Sequence, residues 1–329
     1  MKNILFVISF GMIMMLSVLS CKDNSSIQRA VDQYRTGEIS IDSFMDFYGD
    51  TINKKNVQAW AERHKSDDDL AGFIIALKNK QSNLQVNYLF SLSKKGDVFG
   101  VLGLGVRYFN SVESGNKQFT DSAYFWLNKA GELGSAYAYI YLSLLDRLIT
   151  NKPFTAKIVE YWRKGAKLGN QFCIIQFAKA YYNGWEVEKD KSVAFKTLND
   201  ADFEKLAPEG IYLLAKMYME GEGTQQNFYK AFEYFQYAAN KGYTDAMCYL
   251  GNCYRNGTGV EKNDSLAFIQ FNKAANAGNA WGQRCVAISY KCGDGTAANL
   301  GVANRWYSIA AKNGDEIAIE YCKDHNIDF

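Results

Sequence analysis

The chain has 329 residues, of which 48% are hydrophobic and 15% aromatic, and it contains 2 prolines. This composition supports a large apolar core and excludes an intrinsically disordered chain. The 37 basic residues nearly balance the 35 acidic ones, for a net charge of +2. The chain therefore lacks the strong positive charge of a nucleic-acid-binding protein, and we expect no nucleic-acid partner.

The first 20 residues have the pattern of an export signal. Lys2 supplies a positive charge, and the apolar run from Ile4 to Leu19 is short for a membrane-spanning helix. The stretch VLSC at 18–21 resembles a bacterial lipobox, which implies cleavage before Cys21 and a lipid on its sulfur. We therefore predict a lipoprotein signal peptide at 1–20 and a tether at 21–26. An ordinary cleaved signal peptide and an uncleaved anchor are the alternatives.

These assignments place the protein in a bacterial cell envelope, anchored in a membrane through Cys21. The outer membrane is the expected location, facing either the periplasm or the cell surface. Residues 27–96 lack a regular pattern, and we predict an irregular helical N-terminal cap that contains a degenerate repeat near its end.

A pattern that recurs every 35 to 38 residues is the strongest signal in the chain. It predicts six repeats over 97–314, followed by a C-terminal capping helix at 315–329. The residues that close successive repeats are Gly96, Gly134, Gly169, Ala207, Gly242, Gly278 and Gly314.

The first half of each repeat predicts a helix with one closely packed face. A small residue, a large residue and a tyrosine follow one another at intervals of four, which places them on the same helical face. The small residues are Gly100, Ala138, Cys173, Gly210, Ala246 and Gly282. We assign the tyrosine column, and most of the other tyrosines, to core packing. The column is Tyr108, Tyr181, Tyr218, Tyr254 and Tyr290, with Asp146 as an exception.

The second half of each repeat predicts a tight turn and a second helix. A Gly-x-Gly motif at 221–223, 257–259 and 293–295 ends the first helix, because glycine tolerates positive φ. Capping side chains then open the second helix at Asp190, Asn227, Asn263 and Asn299. Paired alanines close it at 238–239, 274–275 and 310–311. Each repeat is therefore a helix, a turn, a helix and a turn.

Taken together, the small-residue column, the tyrosine, the Gly-x-Gly motif, the alanine pair and the final glycine resemble the Sel-one-like repeat family, relatives of the tetratricopeptide repeats. Repeats four to six match best, and repeat two lacks both its tyrosine and its Gly-x-Gly motif. The resemblance implies an all-α, right-handed superhelical solenoid of helix-turn-helix repeats. It also implies that the protein is an interaction scaffold or adaptor for a protein partner.

We predict no catalytic residues, no metal site and no cofactor. The two histidines, His64 and His325, lie near opposite ends of the chain and are expected at the surface, which argues against a histidine-based triad or a zinc cluster. The protein is therefore not predicted to be an enzyme. An envelope hydrolase is an alternative function, and a cell-wall or glycan-binding protein is another, favoured if Trp185 and Trp281 line a groove.

The cysteines other than Cys21 have no regular spacing. We predict packed free thiols, with disulfides as the alternative in an exported protein. These residues are Cys173, Cys248, Cys253, Cys285, Cys292 and Cys322.

A partner is expected on the concave face, which the first helix of each repeat lines in a solenoid. Columns that vary between repeats supply the candidates, because the other columns are used for packing. The candidate partner-binding residues are Lys179, Lys216, Asn252, Arg255 and Lys291, together with Trp185 in a loop where we expect it to be exposed. The first five would form a basic and polar stripe suited to an acidic partner, and ordinary solvated side chains are the alternative.

Overall fold

The structure, a computed structural model, describes residues 31–34, 61–64, 68–78 and 82–329. Its regular secondary structure is entirely helical over these residues, with no β-strand among them. The predicted signal peptide, the tether and Cys21 lie outside the described residues.

Helices follow one another along the described chain after short helical stretches at 31–34 and 61–64. They are α1 (Asp69–Lys78), α2 (Ser82–Lys94), α3 (Val98–Glu113), a 3₁₀ helix (Lys117–Phe119), α4 (Thr120–Glu132), α5 (Ala136–Thr150), α6 (Ala156–Lys167), α7 (Gln171–Asn183), α8 (Lys191–Asn199), α9 (Pro208–Glu220), α10 (Phe228–Asn240), α11 (Thr244–Asn256), α12 (Asp264–Asn276), α13 (Ala280–Cys292), α14 (Leu300–Lys312) and α15 (Glu316–Asp324).

The described residues form two compact units, an N-terminal unit that ends at residue 189 and a C-terminal unit of residues 190–329. The boundary falls in the third predicted repeat, between α7 and α8. Within the N-terminal unit each of the helices α1 to α7 packs against the next, and within the C-terminal unit α8 to α15 do the same. The all-α fold of stacked helix pairs, predicted from the sequence, is confirmed.

The small residues of each first helix lie where two helices approach closely. A Cβ atom on Gly100 would lie 2.5 Å from the Cβ of Leu92 on α2, and one on Gly282 would lie 2.7 Å from the Cβ of Ala274 on α12. Real atoms do not approach so closely, so a larger side chain would push the helices apart. The repeated small residue is thus a direct consequence of the helix spacing.

Tyrosines of the column pack three first helices against the second helix of the preceding repeat. In the C-terminal unit three of these tyrosines meet a phenylalanine edge to face, with ring centroids 5.3 to 5.4 Å apart: Tyr218 with Phe195, Tyr254 with Phe232 and Tyr290 with Phe268. Such pairs add about 0.5 to 1.5 kcal/mol each to the stabilisation from burial. Core packing is therefore their role, as predicted.

Asp146, the exception in this column, is a buried carboxylate with a complete set of partners. Its oxygens accept hydrogen bonds from the Tyr124 hydroxyl at 3.2 Å and the Thr155 hydroxyl at 2.7 Å. The Lys157 ammonium lies 3.4 Å from the same carboxylate and balances its charge. Burying a charge is costly unless it is paired and hydrogen-bonded. The second repeat thus replaces an aromatic contact with a polar cluster.

The Gly-x-Gly motif has a second role that the sequence did not predict. Its second glycine touches the first residue of the preceding second helix: a Cβ on Gly223, Gly259 or Gly295 would lie 2.1 Å from the carbonyl oxygen of Lys191, Phe228 or Asp264 respectively. All three glycines also have positive φ, between 70° and 73°. Only glycine meets both conditions without strain. The motif therefore joins neighbouring repeats as well as reversing the chain.

One position of the first helix contacts the next repeat. Its partner is the residue directly after the glycine that closes the repeat. Tyr212 lies 5.0 Å from Tyr243 between ring centroids, and the Cys248 thiol donates to Asn279 Oδ1 at 3.5 Å. In the next repeat Arg284 Nε lies 2.9 and 3.0 Å from the two carboxylate oxygens of Asp315. An aromatic pair, a thiol–amide pair and an ion pair thus occupy equivalent places.

We expect Gly259→Ala to destabilise the protein more than Gly278→Ala. Both glycines have positive φ, which costs an alanine about 1 to 2 kcal/mol. A Cβ on Gly278 would meet no atom within 4 Å, whereas a Cβ on Gly259 collides with a backbone carbonyl. The collision should add about 1 to 3 kcal/mol. Urea unfolding followed by circular dichroism measures the difference, and equal losses in the two variants would contradict the inter-repeat role.

Candidate functional site

The first helices of the C-terminal unit, α9, α11 and α13, carry most of the candidate partner-binding residues. On α11 the structure brings two of them together, since Arg255 Nη2 donates a hydrogen bond to Asn252 Oδ1 at 2.7 Å. The Arg255 guanidinium also lies 5.4 Å from the ring centroid of Phe271 on α12. Both contacts hold the guanidinium in one orientation.

The three candidate lysines lie on different helices. Lys216 is half-buried on α9, and Lys291 is exposed near the end of α13 with its ammonium 4.7 Å from the ring centroid of Tyr321. Lys179 is half-buried on α7 and belongs to the N-terminal unit. The C-terminal unit thus holds Lys216, Asn252, Arg255 and Lys291 on consecutive first helices, and their action as a binding stripe stays a prediction.

Trp185 lies in a loop, but it is half-buried rather than freely exposed. Its ring stacks on Phe154 with centroids 4.2 Å apart and planes 9° from parallel. The Arg147 guanidinium lies 5.9 Å from the Phe154 ring centroid and donates hydrogen bonds to the carbonyl oxygen of Pro153. The sequence could not show this stack, because Phe154 belongs to the loop of the preceding repeat.

A set of half-buried aromatic residues runs from α9 to the start of α13, and we call it the aromatic track. Its members are Tyr212, Tyr243, Tyr249 and Trp281. Tyr212 lies 5.0 Å from Tyr243 and 5.6 Å from Tyr249 between ring centroids, and Tyr249 lies 5.1 Å from Trp281. Most tyrosines were expected to pack in the core. The distinguishing signal was that these four lie outside the repeated tyrosine column.

The hydroxyl groups of the aromatic track remain protonated at neutral pH. Burial is the main cause that raises the pKa of Tyr212, Tyr243 and Tyr249 above its ordinary value, and the Asp245 carboxylate nearby adds to the effect. Asp245 itself accepts a hydrogen bond from Asn279 Nδ2 at 2.7 Å. The track therefore offers neutral rings and hydroxyls beside a fixed carboxylate.

The described residues contain no group of histidine, cysteine, aspartate or glutamate side chains arranged to hold a metal ion. His325 is exposed and stacks on Tyr321 with ring centroids 4.0 Å apart, and His64 is half-buried. Among the helices of the described ranges, none combines the length and apolar character that crossing a membrane requires.

Comparison with known families identifies the repeats. The family model described as "Sel1 repeat" matches residues 102–135, 177–196, 208–243, 244–279 and 285–315. The chain belongs to the Sel1 repeat family. Sel1 repeat proteins are generally protein-interaction scaffolds, and their helical solenoids are typically non-enzymatic. The helix pair α5 and α6 lies in a stretch without a match, and this stretch contains Asp146.

Among the solved structures that resemble this Sel1 repeat protein are two with TM-scores above 0.5. One is c5321, a protective antigen present in uropathogenic Escherichia coli strains and displaying an SLR fold, with 26% identity and a TM-score of 0.63. The match covers 73% of this chain and 52% of that one, so the chain spans about half the length of c5321. The other is a Sel1 repeat protein from Oxalobacter formigenes, with 22% identity, a TM-score of 0.57 and coverage of 66% of this chain and 88% of that one. No curated protein matches the sequence.

The six described cysteines of this Sel1 repeat protein are free thiols, and five of them are packed as predicted, whereas Cys292 is not. Cys292 is exposed, and the buried ones are Cys173, Cys248, Cys253, Cys285 and Cys322. Burial raises the pKa of Cys285 to about 11 and that of Cys253 to about 12. A thiol with such a pKa is almost wholly protonated at neutral pH and is a poor nucleophile.

We therefore expect a water-soluble maleimide to modify Cys292 much faster than the buried cysteines at pH 7.5. Mass spectrometry of tryptic peptides over a time course measures this, with Cys21→Ser as the background so that residue 21 adds no signal. Cys292→Ser should remove the fast phase, and unfolding in guanidinium should expose all the remaining thiols. Fast labelling of Cys253 or Cys285 in the folded protein would contradict the packing.

Proposed function

We propose that this Sel1 repeat protein is a lipid-anchored scaffold of a bacterial cell envelope that binds a protein partner through the first helices of its C-terminal unit. The observation that carries the proposal is the aromatic track, whose four rings stay partly exposed on neighbouring first helices and on the turn before α11. Tyrosine and tryptophan provide much of the binding energy at protein interfaces, because they bury large areas and retain a polar group.

Polar residues flank the track in a way that supports directional binding. Toward the start of the first helices lie the carboxylates of Glu209 and Asp245, and toward their ends lie Lys216, Asn252 and Arg255. The first helices run in the same direction, since each is separated from the next by one antiparallel helix. A partner segment across them would meet acidic groups on one side and basic groups on the other. Such charge placement favours specificity more than affinity.

A photo-crosslinker placed on this surface tests the proposal in cells. Asn256 is exposed and lies on the same face of α11 as Tyr249 and Asn252, which precede it by seven and four residues. We expect a photoactivatable phenylalanine analogue at position 256 to give a discrete adduct with one protein, identified by mass spectrometry. The same analogue at Lys273, exposed on the second helix α12, is the matched control and should give no such adduct.

A charge-reversal variant then tests the basic and polar stripe separately. If the stripe binds an acidic partner, Lys216→Glu, Arg255→Glu and Lys291→Glu together should abolish the adduct at position 256. An adduct that survives would retain the scaffold and contradict the stripe. Equal adduct yields from positions 256 and 273 would contradict binding through the first helices. So would the absence of any adduct from either position in cells that express the protein.

Envelope anchoring is supported by the apolar run and the lipobox-like stretch before Cys21. Two signals usually stabilise an anchor, and a diacylglycerol supplies two acyl chains. We expect Cys21→Ser to abolish incorporation of labelled palmitate and to shift the protein from the membrane pellet to the soluble fraction. Ser20→Ala, which leaves the sulfur in place, is the control. Palmitate labelling that persists in Cys21→Ser would contradict attachment at this residue.

A further inference from the structure

A polar pocket in the C-terminal unit lies apart from the aromatic track. It is an open depression where the end of α8 faces the loop between α9 and α10, with Asn199 and Gln225 exposed at its edge, and its volume is about 470 Å³. Sites for small molecules in proteins have volumes of roughly 300 to 1,000 Å³. The pocket therefore has room for a ligand the size of one or two sugar rings.

The loop that forms one wall is held by several contacts. Gln226 Nε2 donates a hydrogen bond to the carbonyl oxygen of Met219 at 2.9 Å. The backbone amide of Asn227 donates one to the carbonyl oxygen of Tyr218, also at 2.9 Å. Glu222, at the start of the loop, forms an ion pair with Lys191 on α8. A preformed wall loses little conformational entropy when a ligand binds.

Three polar side chains of the pocket are available to a ligand. Asn199, Thr224 and Gln225 line it, and their side chains form no hydrogen bond within the part of the chain that the structure describes. Each amide offers both a donor and an acceptor, and the hydroxyl offers either. This combination matches a ligand with several neighbouring hydroxyl groups.

A cation and an aromatic ring complete the pocket. The ammonium of Lys230 is exposed and lies 5.1 Å from the ring centroid of Tyr218, with no ion pair among the described residues. The half-buried ring of Phe195 meets Tyr218 edge to face, with centroids 5.3 Å apart. The ammonium favours a carboxylate on the ligand, and the Phe195 ring offers an apolar surface to the C–H groups of a sugar.

We propose that this pocket binds a carboxylated sugar. The amides of Asn199 and Gln225 bind the ring hydroxyls, Lys230 binds the carboxylate and Phe195 contacts the ring. The set is specific to one repeat, since the residues equivalent to Gln225 in the next two repeats are Glu261 and Ala297. Binding here is independent of the proposed protein partner, because it uses α8 and a loop rather than the faces of the first helices.

Isothermal titration of the purified full-length protein with glucuronate tests the proposal, with glucose and acetate as comparison ligands. We expect glucuronate to bind at least about 10-fold more tightly than either, because each comparison ligand lacks one set of contacts. Gln225→Ala should weaken glucuronate binding about 3- to 10-fold through the lost hydrogen bonds. Lys230→Met should weaken it about 10-fold or more through the lost charge.

Gln236→Ala is the matched control. Gln236 is exposed and is the residue of the next repeat that is equivalent to Asn199. It should leave binding unchanged, and thermal unfolding should show that all variants remain folded. Absence of saturable glucuronate binding would overturn the proposal. So would acetate binding as tightly as glucuronate, which would indicate an anion held by Lys230 alone, or glucuronate binding that Gln225→Ala leaves unchanged.

Discussion

The regular part of the structure depends on one close contact. The turn after a first helix lies against the start of the second helix of the preceding repeat. At Gly223, Gly259 and Gly295 the backbone lies so near a carbonyl oxygen that a side chain is excluded. A single helix pair would leave one of its apolar faces exposed to water, so its stability requires packing against the next pair. The glycine contact sets the spacing between successive helix pairs. That spacing in turn requires small residues on the first helices.

Constant spacing allows the chemistry at an equivalent position to vary. Tyr212, Cys248 and Arg284 occupy one place in successive repeats, yet they form an aromatic contact, a thiol–amide hydrogen bond and an ion pair. Each partner changes together with the residue that it meets. The packing columns therefore determine the architecture, and residues between them determine the surface. This is why the aromatic track occurs on regular repeats without any disturbance of the helices.

The sequence predicted what depends on local geometry or on the repeat. The capping side chains of Asn227 and Asn263 accept hydrogen bonds from the first turns that follow them, and Gly221 and Gly257 end their helices with positive φ. Contacts between repeats were missed, because they join residues that periodicity does not connect. The partners of Asp146 and the stack of Trp185 on Phe154 are examples. The tyrosines of the aromatic track were missed, because their place outside the tyrosine column does not show whether their rings are buried fully or by half.

Departure from the repeat pattern does not by itself indicate a binding site in this molecule. Asp146 replaces a tyrosine, but its oxygens are occupied by Tyr124, Thr155 and Lys157. In the third repeat Glu186 stands in place of the second glycine of the Gly-x-Gly motif. Its φ is 54°, and this conformation costs an L-residue about 1 to 2 kcal/mol. The neighbouring stack of the half-buried Trp185 ring on Phe154 offsets part of such a cost. Both departures are satisfied within the N-terminal unit. The groups that remain open to a ligand, Asn199 and Gln225, lie between packing columns, where a change of residue leaves the fold intact.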